Sequence, residues 1–179
     1  QGYSSAASDV YKRQLPEDIY EKILVRLSGK GIRFVVDATK DLLVNVLKYK
    51  PWLIKPNNYE LSEIFGIEIL KKEDIIFYAK ELQKRGAINV LVSMAGEGSI
   101  LLDEFEDTHI MGVPDGKVIN SVGAGDSMVA GFIAGYLENA DYSYALRLGT
   151  ASGSATAFSE GLAEKEMINR LMEKIQSEK

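Results

Sequence analysis

Apolar residues along the chain switch between two spacings. Ile19, Ile23, Leu24 and Leu27 fall three or four apart, the period of one helix face, and Gly29 closes that segment. Residues 33–37 (RFVVD) form a short apolar run, read as a buried strand ending in a carboxylate. Leu42, Leu43, Val46 and Leu47 return to the helical period, Pro51 stops them, and residues 52–54 predict a second short strand. Asn57 or Asn58 can cap a helix through Phe65, because an Asn side chain accepts from the first free amides. Ile75, Ile76, Ala79 and Leu82 predict a longer helix ending at Gly86. Residues 88–93 are the clearest strand, and residues 99–103 are expected to pair with it in a hairpin. Residues 105–111 and 117–119 are read as further short strands. After Gly125 the pattern is helical: Met128, Val129, Phe132, Ile133 and Tyr136 share a face, residues 142–158 are rich in small side chains, and Met167 to Ile175 make a last amphipathic helix. Strand–helix alternation of this kind predicts an α/β fold, a doubly wound and mainly parallel sheet flanked by helices.

The chain has 179 residues, the size of one domain or a piece of one. Residues 1–14 (QGYSSAASDVYKRQ) are small, polar and aperiodic, with no apolar stretch of the signal-peptide kind. They are read as a non-native or disordered stretch, leaving residues 15–179 as the folded part. The formal charge of −5 argues against a nucleic-acid binder, which needs a basic surface. The absence of cysteine excludes disulfides, thiolate nucleophiles and Cys-ligated zinc, and the single histidine, His109, excludes a His-rich metal site. No apolar run approaches the roughly 20 residues of a membrane helix. The expectation is a soluble, cytoplasmic protein with no nucleic-acid or membrane partner. Its chemistry comes from carboxylates, lysines, hydroxyls and glycine-rich backbone.

Residues 120–127 (NSVGAGDS) concentrate that chemistry. Gly123 and Gly125 allow a sharp turn and a close approach of backbone to ligand. The first amides of the helix that follows lack internal acceptors, and with the helix dipole they form an anion site suited to phosphate oxygens. Asp126 stands in the same turn. A carboxylate there repels an anion unless it removes a proton from a hydroxyl beside the phosphate; the other reading is a plain helix N-cap. There is no Walker A sequence. The dinucleotide pattern G-x-G-x-x-G fails at its third position, which is Met128 from Gly123 and Leu101 from Gly96.

Residues 120–132 (NSVGAGDSMVAGF) resemble the second signature of the ribokinase-like, or PfkB, carbohydrate kinases, closest to the branch holding 1-phosphofructokinases and tagatose-6-phosphate kinases. Residues 55–61 (KPNNYEL) are similar to the family's K-P-N-x-x-E-L segment, and residues 93–98 (SMAGEG) to its S-x-G-x-x-G nucleotide loop, with Ala95 standing at the first glycine. The resemblance implies a ribokinase-like fold and an ATP- and Mg²⁺-dependent sugar-phosphate kinase. Asp126 would be the general base, and the amides of Gly123, Ala124 and Gly125 the anion hole. Ser93, Gly96, Gly98, Lys55 and Asn57 would bind nucleotide, and Asn57 with Glu60 would place the metal. The acceptor implied is fructose 1-phosphate, with tagatose 6-phosphate as the alternative. A non-catalytic nucleotide-binding module is the alternative of another class.

Outside the resemblance, an Asn-x-x-Glu is a helix N-terminus, residues 93–98 a hairpin turn, and the small residues of 149–157 close helix packing. By resemblance, those small residues line an adenine pocket. Family members carry an N-terminal half with sugar-binding residues and a β-sheet lid that joins two copies. Nothing before Leu15 is similar to it, so the chain is read as the C-terminal part, expected to be inactive and poorly soluble alone because of an unpaired sheet edge. His109 and Trp52 are read as structural, residues 71–74 as a solvated helix start, and Met167 and Met172 as core filler.

Overall fold

The structure is a computed structural model that describes residues 18–69 and 71–175, with the backbone of Ser177–Glu178. Residues 1–14 lie outside it. Six strands form one sheet in chain order: β1 (Val35–Val36), β2 (Leu53–Ile54), β3 (Asn89–Ser93), β4 (Ser99–Leu102), β5 (Thr108–Met111) and β6 (Ser177–Glu178). Pairing is parallel across β1, β2 and β3, where helices connect the strands. It is antiparallel across β3, β4, β5 and β6. The expected hairpin is present, with Val90 opposite Leu102 and Ser93 opposite Ser99.

Seven helices flank the sheet among the described residues: α1 (Ile19–Leu27), α2 (Lys40–Val46), α3 (Asn58–Phe65), α4 (Lys72–Lys84), α5 (Ala124–Asn139), α6 (Tyr142–Ala157) and α7 (Lys165–Met172). Side chains alternate across a strand, and the core divides accordingly. Val36, Ile54, Val90, Val92, Ile100 and Leu102 pack with Leu24, Leu43, Leu61, Ile75 and Leu82 from α1 to α4. Leu53, Leu91, Leu101 and Met111 face the other way, toward Phe132, Ala145, Ala151, Ala155 and Leu171 of α5, α6 and α7. Continuous apolar runs in the strands thus reflect a sheet buried on both faces.

Two expectations change. Residues 117–119 form no strand; the amides of Ile119 and Asn120 donate instead to the carbonyl of Ala157 at the end of α6. Residues 105–107 belong to the turn before β5, so that strand is shorter than its apolar pattern. Trp52 is buried and lies 4.8 Å, ring to ring, from Tyr136. Beyond the end of β4, His109 Nε2 sits 2.8 Å from Asp103 Oδ2, a structural pair at the opposite end of that strand from the turn that joins it to β3.

Candidate active site

The segment after β2 at the start of α3, the end of β3 and the N-terminus of α5 border a cavity of about 610 Å³. Asn57, Ser93 and Gly125 supply polar groups to its wall; Val113, Pro114, Met128 and Phe158 supply apolar ones. Gly153 and Ala157 of α6 line it as well. The small residues of α6 therefore serve two ends. Gly149 lies against α5, where a Cβ would come within 2.8 Å of the Met128 carbonyl, whereas Gly153 and Ala157 border the cavity.

Gly123 is the N-cap of α5, with φ 79°, and Asp126 is the third residue of the helix rather than its cap. The Ala124 amide closes the turn on the Ser121 carbonyl at 3.2 Å. Ser127 donates its amide to Gly123, while no backbone hydrogen bond is made by the amides of Gly125 and Asp126. The turn is pinned from outside: Asn120 Oδ1 accepts from Val122, and Thr156 donates to Ser127. Among the described residues the Gly123, Gly125 and Asp126 amides thus lack a backbone acceptor, and they share one turn with a positive helix end and an exposed carboxylate.

Asn57 is the N-cap of α3 in a full capping box. Its Oδ1 accepts from the Glu60 amide at 2.8 Å, and Glu60 Oε2 accepts from the Asn57 amide at 2.8 Å. The helix N-terminus reading of the Asn-x-x-Glu pattern is the one seen here, and Glu60 Oε1 takes no part in the box. Mg²⁺ is held by one or two carboxylates plus waters and substrate phosphates, so Glu60 and Asn57 fit such an ion. Among the described residues no group of three or more Asp, Glu, His or Cys forms a cage for a metal.

Ser93 pairs with Asn57 in an isolated bridge, which ties the nucleotide-loop candidate to the Asn57 cap. Beyond Ser93 a 3-10 turn (Ala95–Glu97) connects β3 to β4. Ala95 adopts φ 47° and Gly98 φ 96°. A Cβ on Gly98 would lie 2.0 Å from the Met111 carbonyl oxygen, so this glycine serves strand packing, whereas Ala95 and Gly96 face the cavity.

Lys55 is buried, with its side chain 7% exposed, and its Nζ lies 3.3 Å from Asp37 Oδ2. A Cβ on Gly125 would lie 3.3 Å from the same Nζ, so the ammonium stands under the glycine turn. The structure therefore gathers Asn57, Ser93, Gly96, Ala124 and Gly125 at the cavity, sets Lys55 under Gly125, and leaves Asp126 and Glu60 outside the lining, Asp126 next to Gly125 and Glu60 joined through Asn57. Gly123 shapes the turn and Gly98 lies behind the wall. The apolar wall at Val113, Pro114 and Phe158 and the carboxylate of Asp37 are additions to the residues expected from the sequence. The wall carries no motif, and Asp37 needs the strand register to be found.

The chain matches a family model described as pfkB family carbohydrate kinase over residues 3–168. It is 45% identical to a 1-phosphofructokinase of Bacillus subtilis over 90% of this chain and 53% of that protein. It is 35% identical to a D-tagatose-1-phosphate kinase of Bacillus licheniformis over 92% of this chain and 54% of that protein. Phosphofructokinase-2 from Escherichia coli, solved in complex with substrates and products, superposes with a TM-score of 0.83 at 28% identity, covering 89% of this chain and 53% of that one. The chain thus spans about half the length of the curated relatives it matches.

Proposed function

The chain belongs to the pfkB family of carbohydrate kinases, and from that premise we propose that the full-length protein transfers the γ-phosphoryl group of ATP to the C6 hydroxyl of fructose 1-phosphate, giving fructose 1,6-bisphosphate and ADP. The observation that carries this reading is the α5 turn. It carries an exposed carboxylate, Asp126, and amides with no backbone acceptor directly after Ala124 and Gly125, which line a cavity with an apolar wall.

Each part has a task in phosphoryl transfer, where positioning and charge stabilisation do most of the work. Asp126 takes the proton from the sugar hydroxyl as its oxygen attacks the γ-phosphorus. The bond from that phosphorus to the bridging oxygen breaks, and ADP leaves. The amides of Gly125 and Asp126 donate to the oxygens of the transferring group, where charge gathers. The apolar wall at Val113, Pro114 and Phe158 suits a flat base, and Gly153 and Ala157 leave it room. Mg²⁺, held at Asn57 and Glu60 and otherwise by water and phosphate, would offset phosphate charge. By family resemblance the protein acts in the cytoplasm and pairs with a second copy.

The B. licheniformis relative adds a third acceptor. Its name and that of the B. subtilis relative share a ketohexose 1-phosphate, so tagatose 1-phosphate belongs beside tagatose 6-phosphate in any comparison. A coupled ADP-release assay on the full-length protein with the three sugar phosphates ranks them. A positioned base is worth roughly 10²–10⁴ in rate, about 3–5 kcal/mol of barrier. Asp126→Asn is therefore expected to lower kcat by that range while ATP binding persists. ATP binding by the wild-type protein without transfer to any of the three sugars would favour a non-catalytic module instead.

A further inference from the structure

The Lys55 ammonium occupies a place that ordinary helix electrostatics disfavours. It is buried and stands at the N-terminus of α5, where the helix dipole and the free amides are already positive. A buried lysine is rare unless a counter-charge accompanies it. Asp37 is that counter-charge. It follows β1 directly, as Lys55 follows β2, and the two strands are parallel with Val35 opposite Leu53 and Val36 opposite Ile54. The same register carried one residue further sets Asp37 beside Lys55. The Lys55 amide donates to the Val36 carbonyl at 3.3 Å, which holds that register to the end. Val35 and Leu53 point toward α5, α6 and α7, and strand alternation sends residues 37 and 55 the same way. The side chain thus emerges under Gly125, at the one residue of the turn where a Cβ would crowd its Nζ.

We propose that Asp37 is a positioning residue for phosphoryl transfer: it fixes the Lys55 ammonium beneath the Gly123–Gly125 turn, so that Lys55 meets the transferring phosphoryl group together with the Gly125 and Asp126 amides. The proposal rests on the kinase reading above and adds a residue to it. Without an anion, Asp37 offsets a surplus of positive charge. When the phosphoryl group arrives, the ammonium interacts with both. The carboxylate's open side, 34% exposed, leaves it free to stay in place through that exchange.

The test compares Asp37→Asn, Asp37→Glu, Lys55→Met and the double variant Asp37→Asn/Lys55→Met in the full-length protein, by sugar-phosphate-dependent ADP release. Asp37→Asn is expected to lower kcat at least tenfold with the sugar-phosphate KM changed less than twofold. In the Lys55→Met background the same change is expected to alter kcat less than twofold, because residues acting as a unit are not additive. Asp37→Glu keeps the counter-charge and moves it by one methylene; it is expected to retain Tm while lowering kcat, which separates positioning from folding. Additive losses in the double variant overturn the proposal. So does a tenfold rise in the Mg²⁺ concentration for half-maximal rate caused by Asp37→Asn in both backgrounds, which would make Asp37 a metal ligand. Absence of transfer by the wild-type protein overturns the kinase reading and this proposal together, whereas transfer with additive losses leaves the kinase reading standing.

Discussion

Two turns border the same cavity, and each enters left-handed backbone at its first special position. At the start of α5 the residue is Gly123, φ 79°; between β3 and β4 it is Ala95, φ 47°. Glycine adopts that region freely, while an L-residue with a Cβ is disfavoured there by about 1–2 kcal/mol. The α5 turn is therefore relaxed and the β3–β4 turn is strained. Ala95 stands where the S-x-G-x-x-G loop has its first glycine, so the departure from that pattern has a conformational cost. The added methyl is the smaller matter, since Ala95 is exposed at the cavity edge. A second contrast concerns room. Gly125 leaves space for a side chain, the Lys55 ammonium, whereas Gly98 leaves space for backbone, the Met111 carbonyl. A flexible lysine can give way; a strand carbonyl in a ladder cannot.

That difference ranks the substitutions. Gly98→Ala carries the largest effect, because the new Cβ meets the Met111 oxygen at 2.0 Å in a backbone with φ 96°. Strain and overpacking together are expected to destabilise by roughly 3 kcal/mol or more. Denaturant unfolding of the full-length protein measures it, and a loss under about 1 kcal/mol would show that β4 and β5 shift to admit the methyl. Next comes Ala95→Gly, which releases left-handed strain but gives the unfolded chain more freedom, worth about 0.4–1 kcal/mol in the opposite sense. The net expectation is a gain of up to about 1 kcal/mol, a Tm rise of about 2–4 °C for a domain of this size. An unchanged or lowered Tm would mean that the strain at Ala95 is met by contacts the glycine loses.

The distribution of what the sequence revealed follows the same physics. Helices announce themselves through local period and caps, so α3 is readable from Asn57 and the four apolar positions of α4 from their spacing. The α5 turn is readable because glycine pairs and a following amphipathic face are local features. Residues 117–119 mislead because Val118 and Ile119 look like strand residues, yet both are exposed and the Ile119 amide finds its acceptor at the end of a helix. The helix-cap reading of Asp126, the alternative to its role as a base, does not hold, because Gly123 is the cap and Asp126 the third residue of the helix. Asp37 and Lys55 are separated by a helix and meet only through parallel register, which no local pattern encodes.

Gly96→Ala has the smallest expected effect on the fold and is the sharpest probe of what the loop is for. Gly96 has no neighbour within 4 Å of where its Cβ would stand, and its backbone is outside the left-handed region. An alanine there restricts the unfolded chain at no cost in native contacts, so stability is expected to stay level or rise by a few tenths of a kcal/mol, toward the lower end of the usual gain of about 0.4–1 kcal/mol. The open space beside Gly96 is the cavity itself. If nucleotide approaches this backbone, the methyl occupies the ligand's side of the loop, and the ATP KM rises several-fold while Tm does not fall. If ATP KM and Tm both stay unchanged, the nucleotide lies against other walls and Gly96 is a glycine without a task in binding. Compared with Gly98→Ala, which breaks the fold at the same loop, the pair separates a glycine kept for packing from one kept for a ligand.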